Sequence, residues 1–274
     1  RRPTGEAPGA GLMHVASLGS GSRGNATVVA TAATRLLIDC GFSLRESRRR
    51  LRRLGLEPAA LDAILVTHEH SDHAAGVGAL SQAYGLPVYA SYGTAASGRL
   101  GSCATLRRFN AGAAFTVGDI AVNAVAVPHD AREPCQFRLR ADGLSLGVLT
   151  DLGSVTAHVV EAFQGCHGLV LEFNHDRALL AAGDYPPPLK RRVGGGWGHL
   201  NNDQASGLLT ALDSAALRQL VIAHVSEKNN SEAAVRGVLA DAHPRWLQRA
   251  HWAGQGEGFP WLSLAPGRSG PGRR

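Results

Sequence analysis

The sequence predicts an α/β or α+β fold built on two sheets, and three observations carry this. Short apolar runs of strand length recur along the chain, segments of helical period lie between many of them, and the strands come in two runs. With 274 residues, 44% apolar and 18% charged, the chain can bury a large core, and disorder throughout is excluded.

The elements follow in order. Residues 1–12 are rich in Gly, Pro and Arg without periodicity and are expected to form a disordered arm. Met13, the sole methionine, is expected as the translation start, with the residues before it either an extension or an expression remnant. Residues 13–264 are expected to form a single domain, and 265–274 a disordered tail. Strands are expected at 14–18, 27–31 and 35–39, then a helix at 44–54 with Leu44, Leu51 and Leu54 on one side and arginines around the rest. A buried strand at 63–67, a helix at 74–84 and strands at 88–90, 120–127, 145–150, 169–173 and 220–223 come next. The remaining helices are placed at 154–163, 202–212 and 231–240. No internal repeat is visible.

Composition removes several function classes. No apolar run reaches the length of a membrane span. Cys40, Cys103, Cys135 and Cys166 have no Cys-x-x-Cys spacing, which argues against a disulfide framework or thiolate zinc site and suits a reducing cytoplasm. The net charge of +6 mildly favours acidic partners, and 5% aromatic content leaves little for base stacking alone.

The ends of the strands carry the chemistry. Asp39, His68, His129, Asp151 and His224 each close or follow a predicted strand, where loops from one sheet edge converge. The densest segment is Thr67-His68-Glu69-His70-Ser71-Asp72-His73. Alternate residues of an extended loop face the same way, so His68 and His70 suit one ion. Asp72 and His73 open the next helix and suit a second. Imidazole and carboxylate ligands favour zinc and other first-row divalent ions.

Other segments have weaker readings. The glycine-rich stretch after the first strand, with Ser20, Ser22 and Asn25, suits a phosphate nest or a plain turn. Pro186-Pro187-Pro188 is expected to hold an extended loop that delivers Lys190, Arg191 and Arg192 to phosphates. The arginines of helix 44–54 read as its wet face. His175 and His199, both in predicted loops near the same edge, are candidate proton donors. Cys40 reads as packed.

His68, His70, Asp72 and His73 resemble the signature of the metallo-β-lactamase superfamily. SLGSGSRGN (17–25), LLIDCGFS (36–43), PHDAREP (128–134), TDLGSVT (150–156), LEFNHD (171–176), YPPPLKRRV (185–193), GHLNN (198–202) and AHVSEKNN (223–230) then resemble, in order, the YycJ/WalJ-type bacterial exonucleases. The family more often has Ser at the position of Asn201 and Leu at that of Val225. Residues 194–198 and those beyond 244 have no clear counterpart. The resemblance implies a four-layer αββα sandwich, the metallo-β-lactamase fold. It implies two divalent metal ions, zinc or manganese: one on His68, His70 and His129, the other on Asp72, His73 and His224, with Asp151 bridging. Asp39 would be structural support.

The expected function is a metal-dependent phosphodiesterase acting as a 5′–3′ DNA exonuclease in repair. A hydroxide held between two metals would attack, with Asp72 and Asp151 orienting it and His175 or His199 protonating the leaving oxygen. Two alternatives stand beside it: a thioester, lactone or β-lactam hydrolase on the same fold, and a non-catalytic nucleic-acid-binding domain.

Overall fold

The computed structural model describes residues 12–212 and 215–265. Apart from Leu12 and Ala265, the expected arm and tail lie outside the described residues. The first half runs β1 (Met13–Gly19), β2 (Ala26–Ala30), β3 (Arg35–Ile38), α1 (Leu44–Arg53), β4 (Ala63–Leu65), α2 (Ser71–Ala74), α3 (Val77–Tyr84), β5 (Pro87–Ser91), α4 (Tyr92–Ala96) and β6 (Thr105–Phe109). The second runs β7 (Ala114–Val117), β8 (Ile120–Ala126), β9 (Cys135–Ala141), β10 (Leu144–Leu149), α5 (Ala157–Phe163), β11 (Gly168–Glu172), α6 (Arg177–Ala182), α7 (Pro187–Val193), α8 (Asn202–Leu212) and β12 (Gln219–Ala223). It closes with α9 (Glu232–Ala242), α10 (Pro244–Leu247), β13 (His251–Trp252) and β14 (Phe259–Leu264).

Two seven-stranded sheets result, ordered β14-β1-β2-β3-β4-β5-β6 and β13-β12-β11-β10-β9-β8-β7. In each, four antiparallel strands lead into three parallel ones. The sequence shows no repeat, yet the sheets share one strand plan. Val15, Val29, Leu36, Ile38 and Leu65 of the first sheet meet Val122, Phe137, Leu139, Leu146 and Val148 of the second in one apolar layer. Helices cover both outer faces: Leu51, Val77 and Leu80 pack on the first sheet, and Phe163, Leu208, Leu209, Val235 and Leu239 on the second. The αββα sandwich is therefore present.

Two expectations are corrected here. The proline run forms no extended loop: Pro187 and Pro188 open α7, since a proline in the first turn loses no helical hydrogen bond and its φ is already helical. Nor is α1 wet on all its arginines. Arg50 is 8% exposed and donates to the carbonyls of Leu18, Gln255 and Gly256, with its guanidinium 4.1 Å from the Phe42 ring centre. It ties α1 to the loop before β14.

Candidate metal centre

The parallel strands β3 and β4 in one sheet, and β10, β11 and β12 in the other, all end at the same edge of the sandwich. His68–His73 follows β4, His129 follows β8, Asp151 follows β10 and His224 follows β12. Backbone conformation marks the place. Among the described residues, the non-glycine residues with positive φ are Asp39 (62°), Asp142 (49°), Asp151 (56°) and His224 (49°). Asp142 belongs to an Asp-Gly hairpin turn; the other three turn the chain sharply at this edge. A left-handed backbone costs a non-glycine residue about 1–3 kcal/mol, so surrounding contacts must hold it.

All seven residues expected as ligands come together. His68, His70 and His129 form one group with ligating atoms within 4.8 Å of one another, and Asp72, His73, Asp151 and His224 form a second. In the first group His70 Nδ1 lies 3.0 Å from His68 Nε2 and 3.2 Å from His129 Nε2. Hydrogen bonds on the far side of each ring turn these nitrogens inward. His68 Nδ1 donates to Thr67 Oγ1 at 2.9 Å, and His129 Nδ1 donates to the Gly198 carbonyl at 2.9 Å. Burial pushes His68 and His129 below the usual imidazole range, so both are neutral and their lone pairs are available.

In the second group, Asp151 Oδ2 sits 3.2 Å from both His73 Nε2 and His224 Nδ1. Neither Asp151 Oδ2 nor His224 Nδ1 makes a well-aligned hydrogen bond, although both are buried. Converging imidazole nitrogens and a buried carboxylate oxygen with no aligned hydrogen bond are what a divalent cation satisfies. The donor set fits such an ion, and the cluster is a divalent-metal site in its chemistry.

The supporting residues are specific. Asp39 takes the Thr67 amide on one oxygen and, on the other, the Thr67 hydroxyl and His73 Nδ1, all at 2.8 Å, so it supports rather than ligates, as expected. Gly41 is required by close approach, because a Cβ there would lie 1.8 Å from the Asp72 carbonyl oxygen. Glu172, which the sequence reading passed over, is fully buried at the end of β11. One oxygen accepts the amides of Leu152 and Leu200 and the other accepts His199 Nδ1 at 3.1 Å. Its signal was available: an acid inside an otherwise apolar strand, Leu-Val-Leu-Glu-Phe.

The two candidate proton donors separate. His199 lines a cavity of about 300 Å³ with Asp72, Asp151, Arg99, Asp130 and Arg192. Burial alone would lower its pKa, but the Glu172 carboxylate outweighs that and raises it to about 9. His175 is 2% exposed, lies under Gly194, and is lowered by burial to about 4. It does not line the cavity.

The expected phosphate contacts fare unevenly. Ser20 accepts the His224 amide and Asn25 is bonded to Gly21 and Asp72; both are buried and face inward, so they shape the site instead. Ser22 lines the cavity. Lys190 turns away to the Ala181 carbonyl, Arg191 is exposed, and Arg192 pairs with Asp130 at the cavity wall. Arg99 and Arg132 were missed. Together with Arg192 they border an adjoining cavity of about 470 Å³. They lie 33 residues apart, on segments that only the fold brings together.

The two-sheet fold and this edge site define a class, and a family model described as a β-lactamase superfamily domain matches residues 34–225. The chain belongs to the metallo-β-lactamase superfamily. Within it, the chain is 35% identical to exodeoxyribonuclease YycJ of Bacillus anthracis over 228 residues, 82% of this chain and 86% of that protein. It is also 35% identical to exodeoxyribonuclease WalJ of Streptococcus pneumoniae over 219 residues, 78% of this chain and 81% of that one. Among solved structures, the metallo-β-lactamase fold protein YhfI of Bacillus subtilis shares the fold with a TM-score of 0.71 at 17% identity, covering 92% of this chain and 99% of YhfI. Among the described residues no helix is long and apolar enough to cross a membrane.

Proposed function

We propose that the protein is a metal-dependent exodeoxyribonuclease that shortens DNA from the 5′ end, with a role in DNA repair in the cytoplasm. One observation carries this: imidazole and carboxylate donors gather at the base of a cavity whose walls bear Arg99 and Arg192. Arginine forks match phosphate oxygens, which a DNA backbone supplies at every nucleotide, whereas a thioester, lactone or β-lactam group is itself uncharged. The 35% identity to exodeoxyribonucleases YycJ and WalJ supports the same reading.

His68, His70 and His129 would hold one divalent ion, and Asp72, His73 and His224 a second, with Asp151 shared; zinc and manganese both suit these donors. Such ions supply positive charge to a phosphodiester and make water acidic enough to attack at neutral pH. The chain does the rest. Arg192, braced by Asp130, binds a non-bridging phosphate oxygen, and Arg99 and Arg132 take a neighbouring phosphate. His199 gives its Nε2 proton to the departing 3′ oxygen while Glu172 holds Nδ1.

The test is digestion of DNA labelled at the 5′ or the 3′ end, with and without a 5′ phosphate, under Zn²⁺ or Mn²⁺. Early release of mononucleotide from the 5′ label is expected. Internal cutting only, or hydrolysis of acyl esters with DNA left intact, overturns the proposal.

A further inference from the structure

Residues 194–198 read Gly-Gly-Gly-Trp-Gly, so between α7 and His199 the loop carries a single side chain, the Trp197 indole. That indole is 65% exposed, more than any other large apolar side chain among the described residues. Such exposure is unusual for tryptophan, whose area is normally buried. No ring or cation stacks on it among the described residues.

The loop beneath it is fixed. The Gly198 amide donates to Gly195, His199 donates to Val193, and the Gly198 carbonyl accepts His129 Nδ1, all at 2.9 Å. Gly153, two residues beyond Asp151, lies against it so closely that a Cβ there would sit 2.5 Å from Gly196 and Gly198. Gly198 and His199 both line the cavity with Asp72 and Arg192. The structure thus presents a flat, unpartnered aromatic face on a firm support, one residue from the cavity wall.

A nucleobase is the ligand chemistry that fits an indole face beside a phosphate-binding arginine. Every base has a π face, and an unpaired one stacks without regard to sequence. Resting on the nuclease reading above, we propose that Trp197 is a stacking platform for an unpaired base next to the scissile phosphate, so that the enzyme grips single-stranded ends. A paired terminus keeps its bases stacked in the duplex and leaves this face unfilled.

The test uses the metal-loaded protein and a 5′-phosphorylated ten-residue oligothymidylate whose phosphorothioate linkages resist cleavage, beside its abasic counterpart. Oligothymidylate should quench tryptophan emission in the wild type and much less in Trp197→Ala. That variant should bind it roughly 5- to 100-fold more weakly, the range expected for one lost stack. The gap should close on the abasic strand, and Trp197→Phe should recover most of the affinity. Equal binding by wild type and Trp197→Ala overturns the proposal, as does a gap that persists on the abasic strand. A blue shift of Trp197 emission that grows with protein concentration without DNA also overturns it, because the indole would then be covering a second copy. Failure of the metal-loaded wild type to shorten any labelled strand with ordinary linkages would sink the nuclease reading instead, and binding to the uncleavable strand tells the two failures apart.

Discussion

Asp39, Asp151 and His224 share a left-handed backbone that most side chains avoid, and all three stand at the cluster of imidazoles. Aspartate and asparagine tolerate that conformation best, so Asp39→Asn changes charge without disturbing the turn. Losing the carboxylate should loosen the hold on His73 Nδ1 and weaken metal affinity roughly 10- to 100-fold, measured by competition with a chelator. His199→Asn removes the proposed proton donor. Its kcat on DNA should fall about 10²- to 10⁴-fold with binding in EDTA little changed, and an equal loss in His175→Asn at unchanged stability would contradict the assignment. At this scale the sequence pointed to the cluster because several His and Asp fall at strand ends together, whereas a single one, like Asp142, is an ordinary turn residue. Glu172, Arg99 and Arg132 were not legible in the same way. Their meaning comes from what they touch, and their partners are distant in sequence.

Elements were legible where one face is apolar and the other polar. α1 shows this and its limit. The Leu44, Leu51 and Leu54 spacing located the helix, but nothing local distinguishes Arg50 from its neighbours, because the carbonyls it binds lie on residues 18, 255 and 256. Glu46 organises this corner by pairing with Arg49 and Arg50, both at 2.6 Å. Hydrogen bonds from Arg49 and then Arg50 pull its carboxyl down to about 2. A carboxyl lowered in the folded state adds stability that is complete above its unfolded value of about 4.5 and lost as pH falls through the folded one. Glu46→Gln should therefore cost about 0.5–1 kcal/mol at pH 7, and the difference should shrink between pH 4.5 and pH 2, read from urea midpoints. α7 was misread because three prolines suggest an extended chain. A proline in the first turn is harmless, and only the seven residues together make the helix.

At the scale of the molecule, the two sheets meet in one apolar layer and contribute opposite halves of the site. His68, His70, Asp72 and His73 come from the first sheet, and His129, Asp151 and His224 from the second. A bound ion therefore fastens one sheet to the other. At metal concentrations near a thousand times Kd this linkage adds about 4 kcal/mol, so chelation should lower the thermal midpoint by on the order of 10 °C in calorimetry. No such fall would mean that no divalent ion is bound to the folded chain at this site. The common strand plan extends to the site: Asp39 follows β3 and Asp151 follows β10, each the fourth strand of its sheet, at φ of 62° and 56°. The sequence hides this correspondence, because the same burial is satisfied by different apolar residues in each half.

Strand β14 has a consequence for biosynthesis. It lies beside β1 with Met13 opposite Leu264, so the opening strand of the first sheet must wait for residues made some 250 positions later. A nascent chain stalled anywhere before residue 259 would expose one whole flank of β1 to chaperones or to another copy. The first sheet therefore closes only once residues 259–264 have emerged to cover that flank.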